Sequence, residues 1–252
     1  MLFLVGIGLS ERDISLKAIE ICKDCELFID RYTSMINDQR VEYLASVIGK
    51  QITTLTRSEM EEGSRQIIER ARTRDVAILI GGDPLMATTH KILYTAAKKL
   101  GVKVLAVHSS SIFSAAIGES GLDFYRFGQV CTIPKWSAHY TPVSFYETIS
   151  RNMKNNQHSL LLLDYDPIAE KSLLINEAID TLEKAEQKYQ QGVIIDKTKI
   201  FVLHNVSMPT QKNILTTISE AKNLSISDGT SVLILPASLT DIEKEVIASM
   251  YA

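Results

Sequence analysis

An apolar run of six residues, DVAILI at 75–80, ends abruptly at the small and polar residues GGDP at 81–84. A helical pattern, KILYTAAKKL, follows at 91–100. Short apolar runs bounded by turn residues are typical of strands that are buried on both faces of a parallel sheet. The succession of run, corner and helix therefore predicts an α/β fold, in which helices cover both faces of the sheet.

The same order of strand and helix patterns recurs through the first half of the chain. The strand patterns are LFLVGI at 2–7, ELFID at 26–30, QITTL at 51–55 and VKVLAVH at 102–108. Helical patterns lie between them at 12–24 and 58–74. Ser10 followed by Asp13 resembles a capping box and predicts the start of the first helix. We expect residues 81–90 to open the helix that follows them, with Asp83 as a possible cap.

Three small-residue corners follow predicted strands. They are GIGLS at 6–10, GGDPLM at 81–86 and HSSSI at 108–112. The carboxyl ends of parallel strands meet at one edge of a sheet, and ligands bind at that edge in α/β folds. The three corners together therefore predict a binding site, whereas one corner alone would be an ordinary turn.

The second half of the chain alternates less regularly. Its strand patterns are YRFGQVCTI at 125–133, HSLLLLD at 158–164, TKIFVLH at 198–204 and TSVLILP at 230–236, and its helical patterns are at 143–154, 173–189 and 240–251. Residues 109–121 are small and predict a helix or a linker. We therefore expect two α/β domains, 1–112 and 113–252.

The composition narrows the classes of partner. Lysine and arginine number 27 against 30 acidic residues, a net charge of -3, which argues against broad binding to nucleic acid or to an anionic membrane. No apolar run approaches the roughly 20 residues that span a bilayer. The N-terminal segment has no positively charged start, so we expect no signal peptide and a cytoplasmic protein.

Cys22 and Cys25 form a CxxC pattern within a helical stretch. Such a pair occurs in redox and zinc sites, but a zinc site needs further cysteine or histidine ligands at suitable spacing. The chain has one other cysteine and no close histidine pair. We interpret the two as ordinary buried or half-buried thiols and expect no metal.

Common catalytic patterns are absent from the sequence. The corners lack the GK[ST] of a phosphate-binding loop, and there is no GxSxG elbow. GIGLS lacks the third glycine of a dinucleotide fingerprint, although Asp30 at a strand end leaves that alternative open. The five histidines, at 90, 108, 139, 158 and 204, show no ligand spacing and are interpreted as capping or surface residues. No catalytic residue is assigned.

The sequence has binding corners but no evident catalytic acid, base, nucleophile or metal site. This combination favours a reaction whose rate depends mainly on how the enzyme aligns its two reactants. Methyl transfer from S-adenosylmethionine (SAM) is such a reaction, because its sulfonium already activates the methyl group and alignment supplies much of the acceleration. The sequence indicates this class without specifying the acceptor.

The chain resembles the diphthine synthase family, within the tetrapyrrole-methylase-like superfamily. The resemblance runs nearly end to end and rests on GIGL at 6–9, ERDIS at 11–15, YTS at 32–34, GDPLMATTH at 82–90, SSSI at 109–112, GLDFYRFG at 121–128 and LLLLD at 160–164. It implies two α/β domains with a SAM cleft between them, a mainly parallel first sheet and a mixed second sheet. It further implies a homodimer that methylates the aminocarboxypropyl-modified histidine of elongation factor 2, leaving S-adenosylhomocysteine.

The resemblance also implies the cofactor contacts. The matching positions are Leu9, Asp83, Met86, Ser111, Ile112 and Leu163, followed less closely by His204 and Ser231. Relatives tend to have Ala-Arg where this chain has His204 and Asn205, and a histidine in place of Ser231. Two alternatives remain at this point: a methylase of the same fold that acts on a tetrapyrrole or ribosomal RNA, and a SAM-binding protein without catalytic activity.

Overall fold

The computed structural model describes residues 1–31, 35–56, 59, 64–166, 171–226 and 228–252. The chain divides into two compact units, Met1–Ile112 and Phe113–Ala252. No helix in the described ranges is long and apolar enough to cross a membrane. The predicted YTS motif, 32–34, lies outside the described residues.

The first unit is built on a five-stranded sheet in which the strands pair in parallel. The strands are β1 (Leu2–Gly6), β2 (Glu26–Asp30), β3 (Thr53–Leu55), β4 (Val76–Ile80) and β5 (Val104–Val107), in the order β3-β2-β4-β1-β5. This confirms the predicted parallel sheet. The order places β4, β1 and β5 side by side, so the three corners that follow them share one edge.

Helices cover both faces of this sheet. They are α1 (Leu16–Lys23), α2 (Asp38–Ile48), α3 (Ser64–Arg70) and α4 (Lys91–Lys99). Successive side chains of β1 point to opposite faces. Val5 belongs to an apolar cluster with Ala18 of α1 and Leu44 of α2, whereas Leu4 belongs to a second cluster with Leu93 of α4. Burying each such aliphatic side chain contributes about 1.5–3 kcal/mol.

Two predicted helix starts are wrong. Helix α1 begins at Leu16, and its cap is Ser15, whose side chain accepts from the Ala18 N–H. The cap predicted from Ser10 fails because the Asp13 carboxylate already accepts the Leu9 and Ser10 N–H groups, which holds this segment in a turn. Similarly, α4 begins only at Lys91, after a loop of irregular backbone over 81–90.

The second unit contains a mixed sheet, as the resemblance implied. Its strands are β6 (Cys131–Ile133), β7 (Ser159–Leu163), β10 (Lys199–His204), β11 (Lys212–Thr217) and β12 (Ser231–Leu235), in the order β11-β10-β12-β7-β6. Strands β6 and β7 pair in parallel, and the other pairs are antiparallel. A separate hairpin joins β8 (Tyr165–Asp166) to β9 (Lys171–Ser172).

The helices of this part of the chain are α5 (Ile112–Ser120), α6 (Ser144–Lys154), α7 (Ile175–Tyr189), α8 (Ile218–Ala221) and α9 (Asp241–Met250). The predicted patterns match α5, α6, α7 and α9, whereas the short helix α8 was not predicted. Helices α6 and α7 contribute Phe145, Ile149 and Leu182 to the buried cluster on one face of the sheet. The strand patterns missed β11, because this edge strand mixes polar and apolar residues and is only half buried.

Candidate functional site

The corners after β1, β4 and β5 lie side by side at the carboxyl edge of the first sheet. The Gly8 N–H donates to the Gly82 carbonyl at 3.2 Å, and the Gly82 N–H donates to the Gly8 carbonyl at 2.8 Å. The Leu9 N–H approaches the Ser110 hydroxyl at 3.3 Å. Leu9 and Asp83, two of the predicted cofactor contacts, are thereby brought to the same place.

Glycine is required where the corners approach each other most closely. A Cβ atom on Gly6 would lie 2.7 Å from the Gly82 carbonyl oxygen and 2.9 Å from the Ser109 Cβ. Gly8 has a φ of +71°, and a Cβ there would lie 2.2 Å from the Cβ of Asp13. Side chains at these positions would separate the corners, so the small residues serve the shape of the edge.

Asp13 joins the first corner to the third. Its carboxylate accepts from the N–H groups of Leu9 (2.9 Å) and Ser10 (2.8 Å), and from the hydroxyls of Ser10 (2.7 Å) and Ser110 (3.1 Å). Partial burial raises the pKa of Asp13, but the hydrogen bonds from Ser10, Leu9 and Ser110 lower it by a larger amount. The pKa of Asp13 therefore lies below its ordinary value. The group is an anion at neutral pH.

The buried side chain of Arg40 contacts the backbone of the first corner. This contact was not predicted from the sequence. The Arg40 guanidinium donates to the carbonyl oxygens of Ile7 at 2.9 Å, Gly8 at 2.8 Å and Leu9 at 3.3 Å. Arg40, Leu44 and Ile48 are the buried residues of α2. An arginine at the apolar spacing of a helix was the one signal in the sequence that could have identified this contact.

Asp83 joins the second corner to the third. Its Oδ2 accepts from His108 Nδ1 at 2.8 Å and from the Ser109 N–H at 3.3 Å, and its Oδ1 accepts from the Leu85 N–H at 3.0 Å. The side chain is buried. The alternative that Asp83 caps the next helix is wrong, because that helix begins eight residues later at Lys91.

The remaining predicted contacts of the first edge differ in exposure. Met86 is exposed on the loop after Asp83. Ile112 is the first residue of α5, and Ser111 immediately precedes it. This part of the edge therefore combines the start of a helix with the Asp83 carboxylate.

Two of the five histidines belong to this unit. His90 occupies the N-cap position of α4, without a side-chain capping hydrogen bond. It is 1% exposed, its Nε2 lies 3.0 Å from Asp30 Oδ2, and its Nδ1 contacts the Thr88 hydroxyl. The position of His90 thus agrees with a capping residue, but His90 is not a surface residue, because it is buried beside an equally buried carboxylate. His108 is a surface residue as predicted, but it also contacts Asp83.

Leu163, His204 and Ser231 meet at one edge of the second sheet. Ser231 pairs with His204 across β12 and β10, and Val232 pairs with Leu162, so β7 ends with Leu163 at the same edge. His204 Nδ1 lies 3.0 Å from the Ser231 hydroxyl. Burial is the main influence on the pKa of His204 and lowers it, which keeps the ring neutral. The interpretation of His204 as a capping or surface residue is wrong.

Asn205 fixes the loop after β10. Its backbone has a φ of +47°. The side-chain oxygen accepts from the Thr230 N–H at 3.0 Å, and the amide group donates to the Thr210 hydroxyl at 3.0 Å. Asn205 therefore links the loops at this edge, and the two residues that differ from relatives, His204 and Asn205, have structural partners within this unit.

The sequence analysis also missed a buried polar network in the second unit. His158 Nδ1 accepts from the Ala237 N–H at 2.9 Å, so its ring proton is on Nε2, which donates to Glu243 Oε1 at 2.9 Å. Arg126 pairs with the other oxygen of Glu243. Burial raises the pKa of Glu243, but hydrogen bonds from Thr240, Asp123 and His158 reduce it to about 2. His158 is buried and its interpretation as a capping or surface residue is wrong.

The cysteines behave as predicted. Cys22 and Cys25 are free and buried. Burial raises the pKa of Cys22 to about 12 and that of Cys25 to about 11, so both are protonated thiols at neutral pH. Within the described ranges, no group of three histidine, cysteine, aspartate or glutamate side chains is placed to hold a metal ion.

Comparisons with known proteins agree on one group of relatives. Residues 1–222 match the family Tetrapyrrole (Corrin/Porphyrin) Methylases. A diphthine synthase of Methanothermobacter thermautotrophicus is 36% identical over 252 residues, which cover 99% of this chain and 95% of the relative. A diphthine synthase of Methanocaldococcus jannaschii is 32% identical and covers 98% of this chain and 97% of the relative.

Solved structures show the same similarity. A crystal structure of a diphthine synthase superposes with a TM-score of 0.86 at 26% identity and covers 99% of this chain and 96% of that chain. A protein from Aeropyrum pernix, described as a conserved hypothetical protein, gives a TM-score of 0.89 at 25% identity over 99% of this chain and 89% of that chain. The similarity therefore extends across both units.

Proposed function

The chain belongs to the tetrapyrrole methylase family and, within it, to the diphthine synthases, and from this membership we propose how its residues serve methyl transfer. The protein is a methyltransferase of diphthamide biosynthesis. The methyl donor is SAM, and S-adenosylhomocysteine is the product that remains. The acceptor is the histidine of elongation factor 2 that carries an aminocarboxypropyl group.

The residues at the first sheet edge fit such a cofactor chemically. SAM carries an ammonium group and ribose hydroxyls, which need acceptors, and a carboxylate and an adenine ring, which need N–H donors. Asp83 accepts three hydrogen bonds, and a carboxylate has about four acceptor positions. One position thus remains for a hydroxyl or ammonium of the ligand, and Ile112, at the start of α5, lies at the same edge.

The single observation that carries the assignment is the joining of three backbone corners by two carboxylates. Asp13 links Leu9 to Ser110, and Asp83 links its own corner to His108 and Ser109. The backbone groups of the corners are consequently fixed before any ligand arrives. A binding site whose geometry is fixed in advance loses less conformational entropy when the ligand binds, which favours affinity.

When bound, SAM supplies a methyl group on a sulfonium sulfur. The chain's own residues then have two tasks, which are to hold the donor and to align the acceptor nitrogen with the methyl carbon. We assign the first task to Leu9, Asp83, Met86, Ser111 and Ile112. Leu163, His204 and Ser231 are the contacts we propose from the second unit, where His204 and Ser231 already pair with each other.

We further propose that the protein is a cytoplasmic homodimer. The family resemblance supports the dimer. Three free thiols support a reducing compartment, because disulfides form and persist mainly in oxidising ones. Equilibrium sedimentation of the purified protein tests the dimer, which predicts about twice the 28.1 kDa mass of one chain.

The experiment that tests the proposed function is methyl transfer from radiolabelled SAM. The acceptor is elongation factor 2 purified from a strain that lacks this enzyme, and the control is the same factor from a parent strain. We expect label on the factor from the deletion strain alone. Label on a porphyrinoid or on ribosomal RNA, with none on the factor, would assign a different substrate, and SAM binding without transfer to any of them would contradict the activity.

A further inference from the structure

His108 and Asp83 form an exposed imidazole held by a buried carboxylate. The His108 side chain is 68% exposed, whereas that of Asp83 is 7% exposed. His108 Nδ1 lies 2.8 Å from Asp83 Oδ2 in hydrogen-bond geometry. A carboxylate can only accept, so Nδ1 carries a proton, and in the neutral ring Nε2 then carries the free lone pair. The ring therefore presents a basic nitrogen to its exposed side.

The orientation of this ring is fixed by the backbone around it. Asp83 is itself positioned by the N–H groups of Leu85 and Ser109, at 3.0 and 3.3 Å. His108 directly follows β5, at the same sheet edge as Leu9 and Ser111. His108 uses Nδ1 in this contact, which leaves Nε2 of the largely exposed ring available to a ligand.

The proposed reaction needs a proton acceptor for the substrate amine. An aminocarboxypropyl group carries a primary amine, which is mostly an ammonium ion near neutral pH and then has no lone pair to form a bond. One proton must leave before each methyl group is added. His108 has no partner nearby in the sequence that would indicate this task, because Asp83 lies 25 positions away.

We propose that His108 is the general base that removes this proton, with Asp83 as its positioning residue; the inference rests on the proposed function. His108 Nε2 takes a proton from the substrate ammonium, leaving a neutral amine. The amine lone pair then bonds to the methyl carbon as the carbon–sulfur bond breaks, and that electron pair stays on sulfur. The imidazolium afterwards releases its proton to water.

The charged groups around the ring are consistent with this role. Asp83 is its direct partner, and Asp13 lies behind the neighbouring serines, with Ser110 donating to it. Arg40 is turned away, towards the carbonyls of the first corner. An anion on the Nδ1 side stabilises the imidazolium that forms when Nε2 takes a proton, as in other histidine–aspartate pairs.

The matched variant is His108→Asn. An asparagine amide nitrogen can occupy about the place of Nδ1 and donate to Asp83, but the side chain has no basic nitrogen. Removing a general base typically slows a reaction by about 10²–10⁴-fold. We therefore expect methyl transfer to elongation factor 2 to fall by about 10²–10⁴-fold while SAM affinity and melting temperature stay close to those of the parent. His139→Gln, at an exposed histidine of the second unit, is the control. It should leave methyl transfer, SAM affinity and melting temperature unchanged.

A second variant, His108→Ala, gives a readout that a bracing role would not produce. Added imidazole should restore part of its activity, in proportion to the neutral fraction of imidazole as pH rises. The inference is overturned if His108→Asn retains transfer within a few-fold of the parent, or if His108→Ala loses transfer and imidazole restores none. If the parent protein itself transfers no methyl group, the proposed function fails and this inference fails with it. If the parent and the His108 variants are all active, only this inference fails.

Discussion

The guanidinium of Arg40 donates a 2.8 Å hydrogen bond to the carbonyl oxygen of Gly8, and the side chain is buried beneath the first corner. A buried cation is costly unless its hydrogen bonds are made. The two terminal nitrogens of Arg40 donate to consecutive backbone carbonyls of the corner and thereby hold Gly8, whose φ is +71°, in place. The stability of the fold and the geometry of the proposed cofactor site thus depend on the same contact.

Replacing Arg40 with methionine should lower both stability and SAM affinity. The substitution keeps much of the apolar stem but removes the donors to Ile7, Gly8 and Leu9. The Gly8 carbonyl keeps the hydrogen bond from Gly82, but the Ile7 and Leu9 carbonyls lose their donor. A buried acceptor without a donor costs about 1–3 kcal/mol, so we expect a loss of about 2–6 kcal/mol in urea unfolding. Arg72→Met, at an exposed pair with Glu69, is the control and should cost less than about 1 kcal/mol. Equal losses in the two variants would contradict the role of Arg40.

Glu243→Gln should reduce stability in a way that depends on pH. A pKa lowered from 4.5 to about 2 corresponds to about 3 kcal/mol of stability. Because the folded value lies below the unfolded one, this contribution is complete above pH about 4.5 and disappears as pH falls towards 2. Glutamine still satisfies the capping box with Thr240 but loses the charge that faces Arg126.

Urea unfolding at several pH values tests this prediction. The parent and Glu243→Gln should differ by up to about 3 kcal/mol at pH 7, and the difference should narrow steadily below pH 4.5. Glu245→Gln, at an exposed position of the same helix, should match the parent throughout. A difference that stays constant from pH 7 to pH 3 would show that the lost contacts are not electrostatic.

Replacing Cys22 and Cys25 together with alanine should leave methyl transfer per folded molecule unchanged. Both thiols are buried, and their pKa values, raised to about 12 and 11, leave almost no thiolate at neutral pH. The double variant should lose about 1 kcal/mol of stability for each removed sulfur. In the parent, iodoacetamide should modify these thiols slowly until the protein is unfolded. A large loss of activity in a well-folded variant would give the CxxC pattern a catalytic role.

Asp83→Asn should weaken SAM binding more than it lowers the melting temperature. Asparagine keeps one acceptor oxygen but turns a donor towards His108 or Ser109, both of which already donate. Losing a hydrogen bond to a charged group costs about 1.5–3 kcal/mol, or roughly ten- to a hundredfold in affinity. Calorimetric titration and thermal unfolding without ligand compare the two effects. Unchanged SAM affinity would leave Asp83 as a link between loops and restrict the cofactor contacts to main-chain groups.

The local sequence pattern was sufficient to predict the strands of the first sheet and the edge at which the corners meet. DVAILI and LFLVGI have the apolar character of buried strands, and strand order then follows from packing. The helix starts near Asp13 and Asp83 were predicted wrongly, because each carboxylate bonds to groups that only the folded sheet brings near, such as Ser110 and His108. The local sequence around an aspartate favours a helix cap, but the tertiary contacts of Asp13 and Asp83 override that local preference.

The contacts that were missed join residues far apart in the sequence. Arg40 of helix α2 donates to Gly8 in the corner after β1, and His158 contacts Glu243, 85 positions away in the sequence. Neither pair has a local spacing that a motif could capture. The same reason explains His108, which lies 25 positions from Asp83 and acquires its partner only when β4 and β5 both flank β1.

Calorimetric titration of the purified protein with SAM tests the central claim most directly. We predict one binding site per chain, with the same affinity in the presence and absence of a chelator, because the proposed contacts are backbone groups and a carboxylate. S-adenosylhomocysteine should compete for that site with the same stoichiometry. An absence of binding, or binding that requires an added metal ion, would contradict the account.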